Sequence, residues 1–207
     1  MDVGVLGGTF DPLHNGHLQV AATAFEQLSL DEIMFVPAGE QWLKSKQYVS
    51  TAEDRISMVE RGIKGNPLFK MSTVDTDRSG PTYTVDTIEV IQAQRGPQAQ
   101  IFFIVGMDSI ADLPLWHDPE RLISLCFLAA FPRPGIEHED IEKTIEKLPE
   151  LKEKLIILKG SQIDISATEL RRRVARGNPI TDKVPVAVDE YIRSRGLYIK
   201  DDIDTRS

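Results

Sequence analysis

GGTFDPLHNGH (residues 7–17) follows a short apolar run at residues 3–6 and precedes a segment, residues 18–28, whose apolar side chains recur at helical spacing. This pattern predicts a strand, a glycine-containing loop and a helix. Gly7 and Gly8 leave the main chain open to close approach by a ligand. Backbone N–H groups at the start of a helix attract anions. The stretch therefore predicts a phosphate-handling site close to the N-terminus.

Two histidines lie in the same stretch, three residues apart. At that spacing His14 and His17 share one face of the first helical turn, with Gly16 between them. A single histidine near a helix start is more often a cap or a surface group than a catalyst. Here imidazole, glycine and helix start coincide, and the combination favours a functional interpretation over a structural one.

Strand-like and helix-like segments alternate along the chain. The predicted strands are 3–6, 32–37, 69–74, 101–105, 127–131 and 155–158; the predicted helices are 18–28, 50–63, 84–95, a short one from Pro119, 137–148, 166–176 and 185–194. Such alternation implies an α/β fold, a Rossmann-like doubly wound parallel sheet with helices on both faces. We expect a single domain over residues 1–207, with a small C-terminal helical part at about 164–207. Neither G-x-G-x-x-G nor a P-loop is present.

Composition narrows the class of protein. The chain has 207 residues, 41% of them hydrophobic, and a net charge of −8, which argues against general binding to nucleic acid or membrane surfaces. No apolar run reaches the length of a membrane span, and no signal peptide is visible, so we expect a cytoplasmic protein. The single cysteine, Cys126, lies in an apolar run and is interpreted as a buried small hydrophobe.

A second phosphate site is predicted at ISATELR, which starts at Ile165. Ser166 and Glu169 form a capping-box pattern that opens a helix, and the Thr168 hydroxyl lies in its first turn. Arg171, one turn on, can fold back to bind a phosphate. An ordinary capped helix with a solvated basic face explains the same segment equally well.

These two motifs resemble those of a known superfamily. GGTFDPLHNGH resembles the H-x-G-H signature of the nucleotidyltransferases, and ISATELR resembles their I-S-x-T-x-x-R motif. The rest, in the same order over nearly the whole chain, resembles one branch, bacterial nicotinate mononucleotide adenylyltransferase. The matching pieces are PAG (37–39) with Lys44, TYTVDT (82–87), GMDS (106–109) through Trp116, FPRPG (131–135) and YIRSRGLY (191–198).

The resemblance implies transfer of the adenylyl group of ATP to nicotinate mononucleotide, with Mg²⁺ bound alongside ATP and no dedicated protein ligands for it. The implied catalytic residues are His14, His17, Lys44 and Arg171. The implied ATP-binding residues are Gly7, Gly8, Thr9, Phe10, His14, Gly16, His17, Gly106, Asp108, Arg133, Ile165, Ser166, Thr168 and Arg171. The implied mononucleotide-binding residues are Thr9, Lys44, Thr82, Tyr83, Thr84, Trp116 and His117, among which Trp116 would stack on the pyridine ring.

One departure from the family pattern is visible. The family has Pro-Pro-His-Lys where this chain has Gln41-Trp42-Leu43-Lys44, so any contact of that histidine is lost or is supplied by another residue such as Lys46. Three alternatives stay open at this point: phosphopantetheine adenylyltransferase, a cytidylyltransferase, and a nucleotide-binding module without catalysis. The branch resemblance favours nicotinate over nicotinamide mononucleotide. The oligomeric state is open and compatible with a homo-oligomer.

Overall fold

A computed structural model describes residues 1–39, 50–132, 138–160 and 165–199, with only the backbone of His138. One parallel sheet of six strands lies at its centre, in the order β3-β2-β1-β4-β5-β6. The strands are β1 Asp2–Gly8, β2 Glu32–Pro37, β3 Phe69–Met71, β4 Gln100–Gly106, β5 Phe127–Phe131 and β6 Leu155–Ile157. The chain thus moves outward from β1 to one edge and returns to build the other half from β4, which confirms the predicted doubly wound sheet.

Helices cover both faces of this sheet. They are α1 Asn15–Leu28, α2 Ala52–Ile63, α3 Thr84–Arg95, α4 Met107–Ala111, α5 Pro119–Leu125, α6 His138–Lys147, α7 Leu151–Lys154, α8 Ala167–Ala175 and α9 Val186–Arg195, with a 3-10 turn at Leu113–Leu115. Among the parts of the chain described, none of these helices is long and apolar enough to cross a bilayer.

The core forms two layers, one on each side of the sheet. Side chains alternate between them along each strand: in β4, Phe102 and Ile104 enter one layer, whereas Ile101 and Phe103 enter the other. The first layer packs against α1, α2, α8 and α9, and the second against α3 to α7. Both faces are therefore buried, which accounts for the continuously apolar sequence of β4. Cys126 is buried in the second layer, and burial raises the pKa of its thiol to about 12.

Some boundaries differ from the sequence-based expectations. Gly7 and Gly8 end β1 and do not form the predicted loop, and α4 follows β4 directly. The third strand ends at Met71, and the short helix α7 was missed. The helix predicted from residue 50 begins at Ala52, because Thr51 is its N-cap and Thr51 Oγ1 accepts the Asp54 N–H at 3.1 Å. Apart from the short helices α4 and α7, which the list of predicted helices lacks, these differences move the ends of elements by a few residues and leave the order of the predicted strands and helices unchanged.

Candidate active site

The carboxyl ends of β1 and β4 are neighbours at the centre of the sheet, where the chain reverses its direction of winding. In open α/β sheets the crevice at such a switch point is where ligands bind. The two predicted glycine segments end these strands: Gly7 and Gly8 close β1, and Gly106 closes β4. The main predicted site residues therefore begin at the carboxyl ends of these two central strands.

The glycine pair lies where side chains would have little space. Gly7 is exposed within an otherwise buried strand, and a Cβ there would lie 3.3 Å from the Phe103 ring. A Cβ on Gly8 would lie 3.2 Å from the Phe10 ring. Phe10 itself is buried with φ of 51°, a left-handed conformation that costs a non-glycine residue about 1–2 kcal/mol. The tight packing fixes the path of the chain from β1 toward the histidines.

The two histidine rings stack, with centroids 3.7 Å apart and planes 19° from parallel. The His14 backbone N–H donates to His17 Nδ1 at 3.2 Å, so the neutral His17 ring carries its proton on Nε2. The Phe10 and His17 rings form a T-shaped pair with centroids 4.9 Å apart. The prediction that the two histidines share one face of the first turn is confirmed, and both ring planes are fixed by neighbours.

The first amide of α1 does not face an anion site, contrary to the expectation for this helix start. The Asn15 N–H donates to the Lys183 carbonyl at 2.8 Å, and the Asn15 side chain reaches the Asp182 carbonyl at 3.4 Å. Gly16 is buried in the same turn. The segment between α8 and α9 thus covers part of the helix start.

Arg171 joins the second predicted motif to the first. Its Nη1 donates to the Asp11 carbonyl at 2.7 Å, across 160 positions of sequence, and its Nη2 donates to Thr168 Oγ1 at 3.3 Å. A guanidinium has five N–H groups, so these two bonds leave donors for a phosphate. The arrangement favours the phosphate-site interpretation of ISATELR over a purely solvated basic helix.

The capping box predicted at the start of α8 is wrong. Ser166 is the N-cap residue, but its side chain makes no capping hydrogen bond. Ser166 and Thr168 are exposed, and Ile165 is half-buried. The hydroxyl of Ser166 is therefore on the surface next to Thr168 and Arg171, and the first turn of the helix is not closed by it.

A buried polar cluster behind the histidine loop was missed by sequence reasoning. Asp11 is 2% exposed; its carboxylate accepts the Tyr198 hydroxyl at 2.5 Å and the Ser50 N–H at 3.1 Å. Arg55 donates to the carbonyls of Thr9 at 3.1 Å and Ser50 at 3.2 Å. Burial lowers the pKa of Arg55, an effect that the Asp11 charge opposes. The signal available in the sequence was the acidic residue within the motif itself.

A second group of predicted residues lies beyond β4. The Tyr83 and His117 rings stack with centroids 4.2 Å apart, and the Trp116 and Phe103 rings form a T-shaped pair with centroids 6.2 Å apart. Trp116 is half-buried and His117 exposed. Because the Phe103 ring also lies against Gly7, it connects the glycine pair with Trp116. The predicted mononucleotide residues therefore adjoin the predicted phosphate residues.

The start of α3 contains the remaining predicted substrate residues. Hydrogen bonds with the preceding loop hold it in place. Thr87 and Arg78 both donate to the Asp75 carboxylate, Arg78 at 2.8 Å. Burial is the main cause that raises the pKa of Asp75. A Cβ on Gly39 would lie 2.7 Å from Thr82 Cγ2, so the chain leaving β2 touches this turn. Thr82, Tyr83 and Thr84 are held at the edge of the sheet by these contacts.

The other predicted residues have these positions. Gly106 is the N-cap of α4, and Asp108 is exposed in its first turn. Lys44 and Arg133 lie outside the described residues, as do Leu43 and Lys46.

Comparison with known proteins agrees with the geometry. Residues 5–173 match the model of the cytidylyltransferase-like family. A probable nicotinate-nucleotide adenylyltransferase of Dehalococcoides mccartyi is 40% identical over 198 residues, 96% of this chain and 97% of that protein. One from Streptomyces coelicolor is 43% identical over 193 residues, 93% of this chain and 98% of its own.

Solved structures share the fold. The structure of Plasmodium falciparum nicotinic acid mononucleotide adenylyltransferase, complexed with NaAD, superposes with a TM-score of 0.77 and covers 95% of this chain and 97% of its own, at 20% identity. At that identity the likeness supports the fold, whereas the full-length relatives establish the family. The chain belongs to the cytidylyltransferase-like family and, within it, to the nicotinate-nucleotide adenylyltransferases.

Proposed function

We propose that this chain transfers the adenylyl group of ATP to nicotinate mononucleotide in NAD biosynthesis. A phosphate oxygen of the mononucleotide bonds to the α-phosphorus of ATP, the bond from that phosphorus to the β-phosphate bridging oxygen breaks, and pyrophosphate leaves. The products are nicotinate adenine dinucleotide and pyrophosphate. The observation that carries the proposal is the Arg171–Asp11 contact of 2.7 Å, which unites the two phosphate motifs.

The reaction needs positioning and charge stabilisation more than acid–base chemistry. The nucleophile is already an anionic phosphate oxygen, and pyrophosphate is a good leaving group. His17 would donate its Nε2–H to a phosphate oxygen as charge shifts in the transition state, with His14 stacked against it. Gly7 and Gly8 would let the phosphates approach the main chain, with Thr9 and Phe10 lining their path.

Arg171 would bind the β- and γ-phosphates with the donors that Asp11 and Thr168 do not use. Ser166 and Thr168 would add hydroxyl groups, and Lys44 would add charge from the segment outside the described residues. Gly106 and Asp108 would meet the adenosine, with Asp108 accepting from ribose hydroxyls. In an acidic protein of net charge −8, this local set of donors would be what attracts a triphosphate.

The pyridine ring of the mononucleotide would stack on Trp116. The half-buried indole makes a T-shaped contact with the Phe103 ring, which supports a stacking role better than a purely structural one. Thr84 and the backbone at His117 would meet the nicotinate carboxylate, since both lie where Tyr83 and His117 stack. This carboxylate contact would favour nicotinate over nicotinamide mononucleotide.

Nucleotidyltransferases of this kind generally use Mg²⁺ with ATP. Among the described residues, no group of three or more His, Cys, Asp or Glu side chains is arranged to hold a metal ion. Magnesium binds phosphate oxygens and keeps several waters, so it would enter on ATP and need no protein cage. Its contribution there is to neutralise charge on the phosphates.

The decisive experiment uses purified protein with ATP and magnesium, offers each acceptor separately, and follows pyrophosphate release. We expect turnover with nicotinate mononucleotide, slower turnover with nicotinamide mononucleotide, and none with phosphopantetheine. Turnover with phosphopantetheine alone would assign the chain to that reaction. Nucleotide binding without turnover for any acceptor would support the non-catalytic alternative and overturn the proposal.

A further inference from the structure

A tyrosine at the far end of the described chain reaches the phosphate loop. Tyr198, two residues beyond the glycine that ends α9, is fully buried, and its hydroxyl donates to Asp11 Oδ1 at 2.5 Å, across 187 positions of sequence. Burial, and then the neighbouring Asp11 carboxylate, raise the pKa of Tyr198 far above its ordinary value. The hydroxyl therefore keeps its proton at neutral pH and donates it to Asp11.

Both the side chain and the main-chain carbonyl of Asp11 accept hydrogen bonds. Its two carboxylate oxygens are fixed by Tyr198 and by the Ser50 N–H, while its main-chain carbonyl accepts Arg171 Nη1. A carboxylate held at both oxygens cannot rotate without breaking a buried bond, which is costly. The position of the carbonyl, and hence of the guanidinium bound to it, follows from the position of the side chain.

We propose that Tyr198 is a positioning residue for catalysis: through Asp11 it sets where the Arg171 guanidinium lies relative to the triphosphate. This inference rests on the proposed adenylyl transfer. Tyr198 touches no reacting atom. Its effect belongs to the transition state, because Arg171 must align with the pyrophosphate as negative charge accumulates there, and a small displacement of an aligned group costs rate more than it costs binding.

The chain offers a matched control. Tyr191 on α9 also donates its hydroxyl to a buried carboxylate, Asp54 Oδ1, at 2.9 Å, but Asp54 binds α2 and α9 groups and none of the predicted phosphate residues. Tyr198→Phe and Tyr191→Phe each remove one hydroxyl that donates to a buried aspartate, from a fully buried tyrosine in the first case and a half-buried one in the second. Both variants should lose a similar amount of thermal stability.

Steady-state kinetics on wild type and both variants then separate the roles. We expect Tyr198→Phe to lower kcat by about tenfold to a hundredfold with KM for ATP and for nicotinate mononucleotide changed less than about threefold, and Tyr191→Phe to keep wild-type kinetics. Equal kinetics of the two variants, at equal loss of stability, would reduce Tyr198 to a structural residue. An inactive wild type would instead overturn the proposed function, so the two failures are distinguishable.

A double-mutant cycle tests the route through Arg171. If Tyr198 acts by placing the guanidinium, then Tyr198→Phe should lower kcat by less than about twofold further in an Arg171→Ala background. Losses that multiply in full would show that the tyrosine acts independently of Arg171 and would contradict the inference. Circular dichroism on each variant confirms that the folded enzyme is being compared.

Discussion

The proton of the His17 imidazole is on Nε2, because Nδ1 accepts the His14 backbone N–H. A single substitution can distinguish the function of Nδ1 from that of Nε2. Asparagine places its Oδ1 near the position of Nδ1, so it can still accept the His14 N–H, but it has no group where Nε2 was. The role of His17 in charge stabilisation is thereby separable from its role at the helix start.

We expect His17→Asn to lower kcat by about a hundredfold to a thousandfold, the usual loss when one donor to developing charge is removed. Its melting temperature should stay near that of the wild type, because the bond to the His14 N–H is kept. Gln19→Ala, an exposed position on the same helix, is the control and should behave as wild type. A His17→Asn enzyme with near-normal kcat would exclude the assigned role.

Trp116 is predicted to contact the mononucleotide and not ATP. Trp116→Ala removes the ring expected to stack on pyridine, and a stacked aromatic contact is worth about 1–3 kcal/mol per base. We expect KM for nicotinate mononucleotide to rise roughly tenfold or more and KM for ATP to change little, with exposed Leu115 as the alanine control. Equal increases in both KM values would contradict the stacking assignment.

Individual site residues differ in how far sequence could predict them. The histidine pair follows from local spacing alone, since residues three apart on a helix are neighbours. The meeting of ISATELR with GGTFDPLHNGH needed the family resemblance, because no local pattern joins residues 160 positions apart. The bond between Asp11 and Tyr198 had neither signal. The substrate-binding and catalytic roles of these residues are predictions that measurements on the variants test.

At the level of elements, α2 supports the histidine loop through a glycine. A Cβ on Gly62 would overlap Leu13 Cδ2 and approach Val188 Cγ2 to 3.3 Å. Leu13 is fully buried and lies one residue before His14, so the loop packs directly on the helix backbone. From the sequence alone, Gly62 is only a residue of low helix propensity. In the structure, a residue without a side chain is needed there, because a Cβ would overlap Leu13.

Gly62→Ala therefore places two effects in opposition. Alanine raises helix propensity by up to about 1 kcal/mol. Overpacking of a buried contact costs about 1–3 kcal/mol, so the overlap with Leu13 should win. We expect a net loss of about 1 kcal/mol in urea unfolding, whereas Ser57→Ala on the same helix should change stability by less than about 0.5 kcal/mol.

Combining Gly62→Ala with Leu13→Ala tests whether the overlap with Leu13 causes the loss of stability. In a Leu13→Ala background the clash partner is gone, so Gly62→Ala should then be neutral or stabilising, and the two changes should be strongly non-additive. Additive losses would mean that the glycine is needed for a reason other than this contact.

The boundaries of the elements are less predictable than their order, because they depend on single side-chain contacts. Thr51 is the N-cap of α2 because its hydroxyl accepts the Asp54 N–H. From the sequence, the hydroxyl of Ser50 could equally have been the cap.

For the whole molecule, the question is whether the C-terminal helices are an appendage or part of one folding unit. We propose a single domain. Val188 and Ile192 of α9 belong to the same core layer as Leu6 and Phe10. Asp54 of α2, 5% exposed in its side chain, accepts bonds from Tyr191 and Arg195 of α9. Alternation of strands and helices predicted the sheet, but this attachment depends on pairs of residues far apart in sequence.

Asp54 makes the attachment testable by pH. Burial alone would raise its pKa, but hydrogen bonds from Thr51, Tyr191 and Arg195 hold the pKa below its ordinary value. A lowered carboxyl pKa adds stability that is fully present above the unfolded value of 3.8 and is lost as pH falls through the folded value. Asp54→Asn should therefore cost about 1–3 kcal/mol, unchanged between neutral pH and about pH 5.

Below about pH 4 that difference from the wild type should shrink, because the wild-type carboxyl becomes protonated as well. If the C-terminal helices and the sheet form one cooperative unit, far-UV circular dichroism and tryptophan fluorescence should report the same midpoint for the wild type and the same shift for Asp54→Asn. An early transition in one probe alone would mean that α9 detaches before the sheet unfolds. A cost of Asp54→Asn that persists at pH 3 would show that packing, not the carboxylate charge, holds α9 on α2.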